Sequence, residues 1–229
     1  MSSRLSQGLD RLHLDLTDSQ IESLELYAQC VLKFNESYNL MKAGSTDELY
    51  TNHVLDSLAA CHAIGQLVSE IQQKTGRICL DIADVGSGGG CPGIPLAVSL
   101  PSQHFTLIDR MEKRCAFLRD TLAAMHIDNA CVLCAKAADV PHTSFDLAVL
   151  RAFHPFDEKT TPLLLSLVRR GGIIASYKAK CERIAAEMRT VRQLVPQYQV
   201  IRLDVPFLED HERNLVVIRK SEVCAQKCR

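Results

Sequence analysis

The feature that most restricts the fold is a glycine-rich loop at residues 86–93. Five of the chain's 11 glycines fall within this segment, which reads Gly-Ser-Gly-Gly-Gly-Cys-Pro-Gly. An apolar stretch typical of a strand precedes the loop, and a stretch that can hold a helix with Pro95 in its first turn follows it. Glycine lets the backbone turn tightly and lets a ligand approach closely. The pattern therefore predicts a binding crevice outside the carboxyl end of a strand in an open α/β sheet.

Alternating strand and helix patterns surround this loop. We expect seven strands, at Ile78–Val85, Phe105–Ile108, Cys131–Leu133, Phe145–Leu150, Ile173–Tyr177, Tyr198–Leu203 and Leu215–Ile218. We expect helices between most of them, at Pro95–Leu100, Met111–His126, Asp157–Arg169 and Cys181–Leu194. This alternation predicts right-handed crossovers and a doubly wound, mainly parallel sheet. Only residues 204–214 separate the last two strands, so those strands should form an antiparallel hairpin.

The first 75 residues have a helical pattern instead. Thr17 and Gln20 match a capping box, and apolar residues follow at helical spacing. A second helix should begin near Thr46, with Leu49, Val54 and Leu58 on one face. We therefore expect a helical extension over residues 1–75 and one compact α/β domain over residues 76–229.

Composition limits the class of protein. The chain has 229 residues, 47% of them hydrophobic and 23% charged, which excludes disordered and collagen-like chains. No stretch approaches 18 uninterrupted apolar residues, and the first residues lack the apolar core of a signal peptide. We therefore expect a cytoplasmic protein without a membrane segment. The formal net charge is −1, so a polyanion would have to bind to a local basic patch.

The chain contains ten cysteines, two of which are Cys224 and Cys228 near its end. The only C-x-x-C pair is formed by Cys131 and Cys134, and no second pair stands at zinc-site spacing. We expect no metal site, and we interpret the cysteines as small buried hydrophobic residues in a reducing compartment.

Two acids at strand ends narrow the choice of ligand. Asp84 ends the first strand just before the loop, and Asp109 ends the second strand. The negative charge of Asp84 would repel a pyrophosphate but suits a ligand with an ammonium and a sulfonium group. Asp109 stands where a carboxylate can accept hydrogen bonds from both ribose hydroxyls. These features favour S-adenosylmethionine, with Asp81 as an alternative to Asp84. Residues 88–93 also satisfy G-x-G-x-x-G, so an NAD(P) oxidoreductase remains a second reading.

Five blocks of the chain resemble one known family in the same order. In chain order they are Phe34–Leu40, His53–Ser57, Asp84–Ala97, Leu150–Phe153 and Glu212–Lys220. The family is the bacterial small-subunit ribosomal RNA methyltransferase G family, also called glucose-inhibited division protein B. The resemblance implies a class I methyltransferase fold, S-adenosylmethionine as methyl donor, and methylation of guanine N7 at position 527 of 16S rRNA, in the small ribosomal subunit. We expect the protein to act as a monomer.

The resemblance also suggests site residues. In the family, backbone around the loop and after the third strand holds the cofactor. With the glycines and strand-end acids above, the cofactor-binding candidates are Asp84, Gly86, Gly88, Gly90, Cys91, Asp109, Ala137, Ala138 and Arg151. The arginines of two family blocks fall on Arg151 and Arg213, which we take as the catalytic candidates.

The chemistry of guanine N7 limits what the protein must supply. N7 has a lone pair and no proton at neutral pH, so its attack on a sulfonium methyl group needs no general base. Proximity and orientation then suffice. Arg151 follows an apolar strand at the edge where the methyl group would be presented, and its guanidinium can bind guanine O6 or a phosphate. We expect it to position the nucleotide and contact the cofactor, although a surface ion pair with Asp157 or Glu158 is the simpler alternative.

Other residues are candidates for RNA contact. Phe153 and His154 could stack on an unstacked base. Lys178, Lys180 and Arg213 are the main candidates for phosphate binding, within a basic set that also includes Arg169, Arg170, Arg183, Arg219 and Lys220. His53 and Asp56 should tie the N-terminal helices to the sheet. Two further alternatives stay open: a methyltransferase for another RNA or small molecule, and an RNA-binding protein without activity.

Overall fold

The computed structural model describes residues 3–221, so Cys224 and Cys228 lie outside the described residues. Seven strands form one sheet in the order β3-β2-β1-β4-β5-β7-β6. The strands are β1 (Asp81–Val85), β2 (His104–Asp109), β3 (Ala130–Cys134), β4 (Phe145–Arg151), β5 (Val168–Lys178), β6 (Gln199–Arg202) and β7 (Asn214–Arg219). Strands β1 to β5 are parallel, and β7 pairs antiparallel with both β5 and β6. The predicted sheet and C-terminal hairpin are confirmed.

Helices cover both faces of the sheet. They are α1 (Ser3–Arg11), α2 (Asp18–Asn35), α3 (Thr46–Leu49), α4 (Asp56–Leu58), α5 (Cys61–Thr75), α6 (Gly93–Ser99), α7 (Glu112–Ala124), α8 (Thr160–Leu167) and α9 (Cys181–Thr190). A π-helical segment, Tyr50–Leu55, joins α3 to α4. The predicted capping box at α2 is present, because the Gln20 amide donates to the Thr17 hydroxyl and the Thr17 amide donates to the Gln20 side chain.

The sheet separates two apolar layers. Successive side chains of a strand point to opposite faces, and in β4 this sends Leu147 and Val149 into one layer and Ala148 and Leu150 into the other. All four side chains are buried, as expected of a strand covered on both faces. The doubly wound arrangement follows directly from these apolar runs.

The N-terminal helices share a core with the sheet. Leu24 and Tyr27 of α2 are fully buried in one cluster with Leu107 of β2 and Leu118 of α7. Leu49, Val54 and Leu58 are buried as predicted. Burial of this apolar surface stabilises the contact between the helices and the sheet.

Several predicted boundaries were wrong; for example, β1 begins at Asp81 rather than at Ile78, and α9 ends at Thr190 rather than at Leu194. The predicted helix Asp157–Arg169 begins later and ends at Leu167, and β5 begins at Val168 rather than at Ile173. Gly171 has a φ of +72°, and a bulge lies in the pairing of β4 with this part of β5. The irregular start of the strand hides its period in the sequence.

The cysteines are only partly as expected. Cys61, Cys91 and Cys115 are buried, but the prediction of burial was wrong for Cys79, Cys131 and Cys181, which are exposed. In residues 3–221, no helix is long and apolar enough to cross a bilayer.

Candidate functional site

Two clefts meet at the carboxyl edge of the parallel strands. Strand order reverses between β1 and β4, and this switch point is where open α/β sheets bind ligands. The first cleft, of about 670 Å³, is lined by the glycine loop, the ends of β2 and β4, and the segment after β3. The second cleft, of about 420 Å³, lies between the π-helical segment with the start of α4, the end of β5, α9 and the loop before β7. Ala152 and Phe153 line both clefts.

The glycine loop needs its glycines for space and for backbone conformation. Gly86 has a φ of +76°, and a Cβ there would lie 2.7 Å from the ring of Phe153. Gly90 has a φ of +100°, and a Cβ there would meet Ile94 at 2.6 Å. Residues with side chains rarely adopt such angles. The backbone conformation of the loop therefore requires glycine at both positions, and Gly86 lines the first cleft.

Asp109 lies in the first cleft as predicted from its place at the end of β2. It is 5% exposed, and its carboxylate accepts hydrogen bonds from the amides of Gly88 at 2.9 Å and Met111 at 2.8 Å. Arg114 Nη1 lies 3.5 Å from Asp109 Oδ2. Since an ionised carboxylate has about four acceptor positions, these contacts leave room for ligand hydroxyls. Asp109 thus fixes Gly88 of the loop and still faces the cleft.

Asp84 lies beneath the loop rather than in the first cleft. Its Oδ2 accepts hydrogen bonds from the Ser87 hydroxyl at 2.7 Å and the Gly93 amide at 2.9 Å. Burial raises the pKa of this carboxyl to about 6, against the hydrogen bonds from Ser87 and Gly93, which lower it. Its Oδ1 is buried and has no hydrogen-bond partner among residues 3–221. Asp84 therefore holds the loop together, and its role toward a cofactor stays a prediction.

The alternative acid lies at the wrong end of β1. Asp81 is the first residue of the strand, so about 10 Å of extended chain separate it from Asp84. It pairs there with Arg77 and Arg169, at 3.0 Å each. Asp81 belongs to an ion-pair network at the amino edge of the sheet.

Cys91 is buried below the loop and does not line the first cleft. It is 5% exposed, and its Sγ lies 3.1 Å from the Tyr27 hydroxyl. Tyr27 also donates a hydrogen bond of 2.7 Å to the Gly89 carbonyl. Burial raises the pKa of the Cys91 thiol. These contacts join helix α2 to the glycine loop.

The segment after β3 completes the first cleft. Ala137 and Ala138 lie in a 3-10 turn, Ala137–Asp139, and both line the cleft, as the family resemblance implies. Gly88 lies in the loop, held by Asp109. The predicted set therefore divides into residues that line the first cleft and residues, such as Gly90 and Cys91, that pack behind it.

One buried carboxylate joins both predicted catalytic arginines in the wall of the second cleft. Asp56 is 5% exposed. Its Oδ2 accepts from Arg151 Nη1 at 2.8 Å, and its Oδ1 accepts from Arg213 Nε at 2.9 Å. Arg151 therefore pairs with Asp56 rather than with Asp157 or Glu158, and Asp56 ties the N-terminal helices to the sheet as expected.

His53 supports the same arginine. Arg151 Nη2 lies 3.0 Å from His53 Nδ1, and His53 Nε2 lies 3.1 Å from the Lys42 carbonyl. Since a guanidinium only donates, Nδ1 must accept and Nε2 must carry the proton. Burial lowers the pKa of His53, which agrees with a neutral ring. Arg151 also donates a hydrogen bond to the Asn52 carbonyl at 3.1 Å. Residues 52–56 therefore hold this guanidinium through three groups, which are the Asn52 carbonyl, the His53 ring and the Asp56 carboxylate.

Phe153 stands at the junction of the clefts. It is half-buried and follows Ala152, whose φ is +53°. The ring of Phe153 occupies the space that a side chain at Gly86 would need, and its other neighbour, His154, makes an edge contact at 5.3 Å between ring centroids. His154 is exposed and lines the first cleft. Phe153 lines both clefts, whereas His154 lines only the first, and base stacking on either ring stays a prediction.

The predicted basic set does not form one patch. Three of its members lie at the amino edge of the parallel strands. Arg169 is at the start of β5. Arg219 and Lys220 are at the end of β7, which reaches the same edge because it runs antiparallel to β5. Arg169 pairs with Asp81 and Asp146, and Arg219 pairs with Glu70. Lys180 and Arg183 remain at the second cleft and are exposed.

Lys178 lines the second cleft but has a partner within the protein. Its Nζ lies 2.7 Å from Glu187 Oε2, and its side chain is 14% exposed. Glu187 also accepts a hydrogen bond from the Phe156 amide at 3.0 Å. This ion pair anchors the segment after β4, so phosphate binding by Lys178 stays a prediction.

Two contacts that shape the site were hard to predict from the sequence. Asp56 was visible as one acid on a helical face, but its arginines lie 95 and 157 residues away in the chain. Tyr27 matches no motif in the sequence, and no role was predicted for it.

Comparisons with known proteins agree with this architecture. The family described as rRNA small subunit methyltransferase G matches residues 20–216. Proteins named ribosomal RNA small subunit methyltransferase G are similar to this chain. The one from Treponema denticola is 34% identical and covers 86% of this chain and 85% of its own. Those from Cupriavidus metallidurans and Klebsiella pneumoniae are each 33% identical, covering 95% and 96% of this chain and 93% and 98% of their own.

Solved structures share the fold. The human methyltransferase 10 domain containing protein has a TM-score of 0.56 at 12% identity, over 88% of this chain and 98% of its own. The tRNA (m1A58) methyltransferase TrmI from Aquifex aeolicus has a TM-score of 0.55 at 12% identity, over 72% of this chain and 70% of its own. These likenesses place the sheet and its helices among class I methyltransferase folds.

Proposed function

Because the chain belongs to the rRNA small subunit methyltransferase G family, we propose that it methylates guanine N7 at position 527 of 16S rRNA. The methyl donor is S-adenosylmethionine, and the substrate is the small ribosomal subunit. The enzyme acts in the cytoplasm as a monomer. The observation that carries the proposal is the meeting of two clefts at Phe153, one lined by Gly86 and Asp109 and the other by Arg151 and Arg213.

The residues of the first cleft fit the cofactor. Asp109 offers a carboxylate to ribose hydroxyls at the end of β2, which is the usual place for that contact. Gly86, Ala137 and Ala138 give the cleft a wall of backbone and small side chains. S-adenosylmethionine, when bound, supplies a methyl group on a positively charged sulfonium sulfur. The acidic Asp109 suits such a ligand, and the family match disfavours the NAD(P) alternative.

The second cleft supplies positioning rather than proton transfer. Guanine N7 needs no deprotonation, so the protein must exclude water and align the nucleotide with the methyl group. Arg213 is 29% exposed and Arg151 is 15% exposed in the wall of this cleft. Guanidinium groups bind guanine O6 or phosphate through paired donors. We assign the two arginines to holding the target nucleotide, with Lys180 and Arg183 on its phosphates.

The experiment is methyl transfer from labelled S-adenosylmethionine to small subunits from cells that lack this methylation, followed by mapping of the modified nucleotide. We expect label at guanine N7 of position 527. Label at another nucleotide would overturn the specificity and keep the enzyme class. Absence of label, with cofactor binding demonstrated, would favour the RNA-binding protein without activity.

A matched pair of variants connects the activity to the first cleft. Asp109→Asn removes the charge that faces the cleft and should weaken cofactor binding and transfer together. Asp120→Asn makes the same change on the exposed face of α7 and should leave both unchanged. Equal cofactor affinity in the two variants would exclude Asp109 from cofactor binding.

A further inference from the structure

Asp56 makes contacts that exceed those of a simple link between helix and sheet. It belongs to α4, Arg151 ends β4, and Arg213 lies in the loop before β7. The two carboxylate oxygens each receive one arginine, at 2.8 and 2.9 Å. Three separate parts of the fold therefore converge on one carboxylate in the wall of the second cleft.

Burying these charged groups has a cost in free energy, because they lose their contact with water. Asp56 is 5% exposed and the Arg151 side chain 15% exposed, so both charges lose most of their contact with water. Buried ion pairs contribute little net stability, and apolar residues of similar volume often hold two elements together as well or better. The same segment already has such apolar contacts, since Val54, Leu55 and Leu58 are buried. Stability alone does not account for the charged group.

The arrangement leaves donors available for a ligand. Arg213 uses Nε for Asp56 and Nη1 for the Glu212 carbonyl. Its Nη2 makes no hydrogen bond to another residue in the described range 3–221. With one carboxylate and two guanidiniums, the group carries a net charge of +1, which attracts a nucleotide while Asp56 reduces the repulsion between the arginines.

Resting on the function proposed above, we propose that Asp56 is a positioning residue for methyl transfer. It holds the guanidiniums of Arg151 and Arg213 in the orientation that aligns guanine with the methyl group, without touching the nucleotide itself. An asparagine in its place presents an amide N–H₂ to one of the two arginines, so that arginine loses its acceptor and moves. The site then binds RNA through a larger positive charge but aligns it poorly.

The test compares Asp56→Asn with Asp47→Asn in methyl transfer to small subunits that lack this methylation. Asp47 lies in α3, is exposed, and pairs loosely with Arg4 at 3.8 Å, so it controls for the chemical change in the same helical segment. We expect Asp56→Asn to lose about a hundredfold in rate at saturating subunit, the loss typical of misplacement. Its KM for subunits should not rise, and its affinity for S-adenosylmethionine should stay at the wild-type value. Asp47→Asn should match the wild type throughout.

Two results would overturn the proposal. The first is a saturating rate for Asp56→Asn within about twofold of the wild type, and the second is an effect on KM alone. Neither agrees with a loss of orientation, which should lower the rate at saturating subunit. If Asp56→Asn does not fold, Asp56→Glu decides. This variant keeps the carboxylate but displaces it by one methylene, and it should fold yet transfer about tenfold more slowly at saturation. A wild-type rate for Asp56→Glu would also overturn the proposal.

A binding measurement separates this proposal from the proposed function. If the wild type transfers no methyl group, the proposed function fails and the role of Asp56 is judged from subunit binding. Loss of the Asp56 charge raises the local net charge from about +1 to about +2, so Asp56→Asn should bind subunits at least as tightly as the wild type and with a steeper salt dependence. An unchanged salt slope would place the arginines away from RNA and overturn the proposal.

Discussion

At the scale of single residues, the loop before α6 tolerates a side chain at very few places. In Gly86→Ala the left-handed backbone costs about 1–2 kcal/mol, and the new Cβ displaces the ring of Phe153 from the junction of the clefts. We expect roughly tenfold weaker binding of S-adenosylmethionine, since about 1.4 kcal/mol corresponds to a factor of ten. Equilibrium dialysis with labelled cofactor measures this.

Gly65→Ala is the matched control. Gly65 lies inside α5, and nothing lies within 4 Å of a Cβ placed there. The variant should be more stable by about 0.4–1 kcal/mol, because alanine reduces the entropy of the unfolded chain, and should bind the cofactor as the wild type does. Equal cofactor affinity for Gly86→Ala and Gly65→Ala would contradict the steric argument.

Asp84 should make stability depend on pH. Burial raises its pKa to about 6, above the ordinary value of 3.8, so the folded protein binds this proton more tightly than the unfolded chain. Its contribution is therefore most favourable below about pH 4 and is lost as the pH rises through about 6. The free energy of unfolding of Asp84→Asn, relative to the wild type, should improve as the pH rises from about 4 to about 8.

Urea unfolding across this pH range measures the effect. Ser87→Ala provides a second variant, because it removes a hydrogen bond that favours the ionised carboxylate. In Ser87→Ala the pKa of Asp84 should therefore be higher, and the stability should be lost at a higher pH than in the wild type. A difference between Asp84→Asn and the wild type that stays constant with pH would show that Asp84 binds its proton equally in the folded and unfolded states, so that folding does not shift its pKa.

At the scale of elements, the sequence was most informative where one periodicity continued without interruption. The buried strands β1, β2 and β4 were predicted because their residues are apolar on both faces. The start of β5 was missed because Gly171 and a bulge interrupt its pattern. Ion pairs between elements leave no such trace. The pairing of Lys178 with Glu187 depends on how α9 packs after β5, which the basic run alone does not encode.

This pairing predicts different effects for two neighbouring lysines. Lys180→Gln should weaken subunit binding and reduce the slope of log affinity against log salt by up to about 0.7–0.9, the amount expected for one phosphate contact. Lys178→Gln should change that slope little, because the lysine is 14% exposed and already paired. It should instead lower stability by about 1–3 kcal/mol, because Glu187 loses its partner.

Filter binding at several salt concentrations and urea unfolding distinguish the two variants. The interpretation would fail if Lys178→Gln reduced the salt slope as much as Lys180→Gln did. That result would mean that Lys178 exchanges Glu187 for a phosphate on binding.

At the scale of the whole molecule, the candidate site depends on parts of the chain that are far apart in sequence. The glycine loop and Asp109 were predictable because strand ends and their loops are local features. The second cleft was not, since Asp56, Arg151 and Arg213 meet only after the N-terminal helices pack on the sheet. The resemblance to a family identified the arginines without indicating what holds them.

The N-terminal helices should therefore influence cofactor binding from outside the first cleft. Tyr27 of α2 is fully buried, and its hydroxyl donates to the Gly89 carbonyl in the glycine loop. Tyr27→Phe leaves that buried carbonyl without this donor, at a cost of about 1–3 kcal/mol. Because the loop is the element that loses the contact, we expect weaker binding of S-adenosylmethionine as well as lower stability.

Tyr50→Phe makes the same chemical change in the same N-terminal region. Tyr50 is also buried, but its hydroxyl has no hydrogen bond to any other residue within 3–221. This variant should therefore keep the wild-type cofactor affinity and nearly the wild-type stability. Calorimetric titration with S-adenosylmethionine and urea unfolding measure both quantities. If the two variants bound the cofactor equally well, the helices would serve only to cover the sheet, and the loop would hold its conformation without α2.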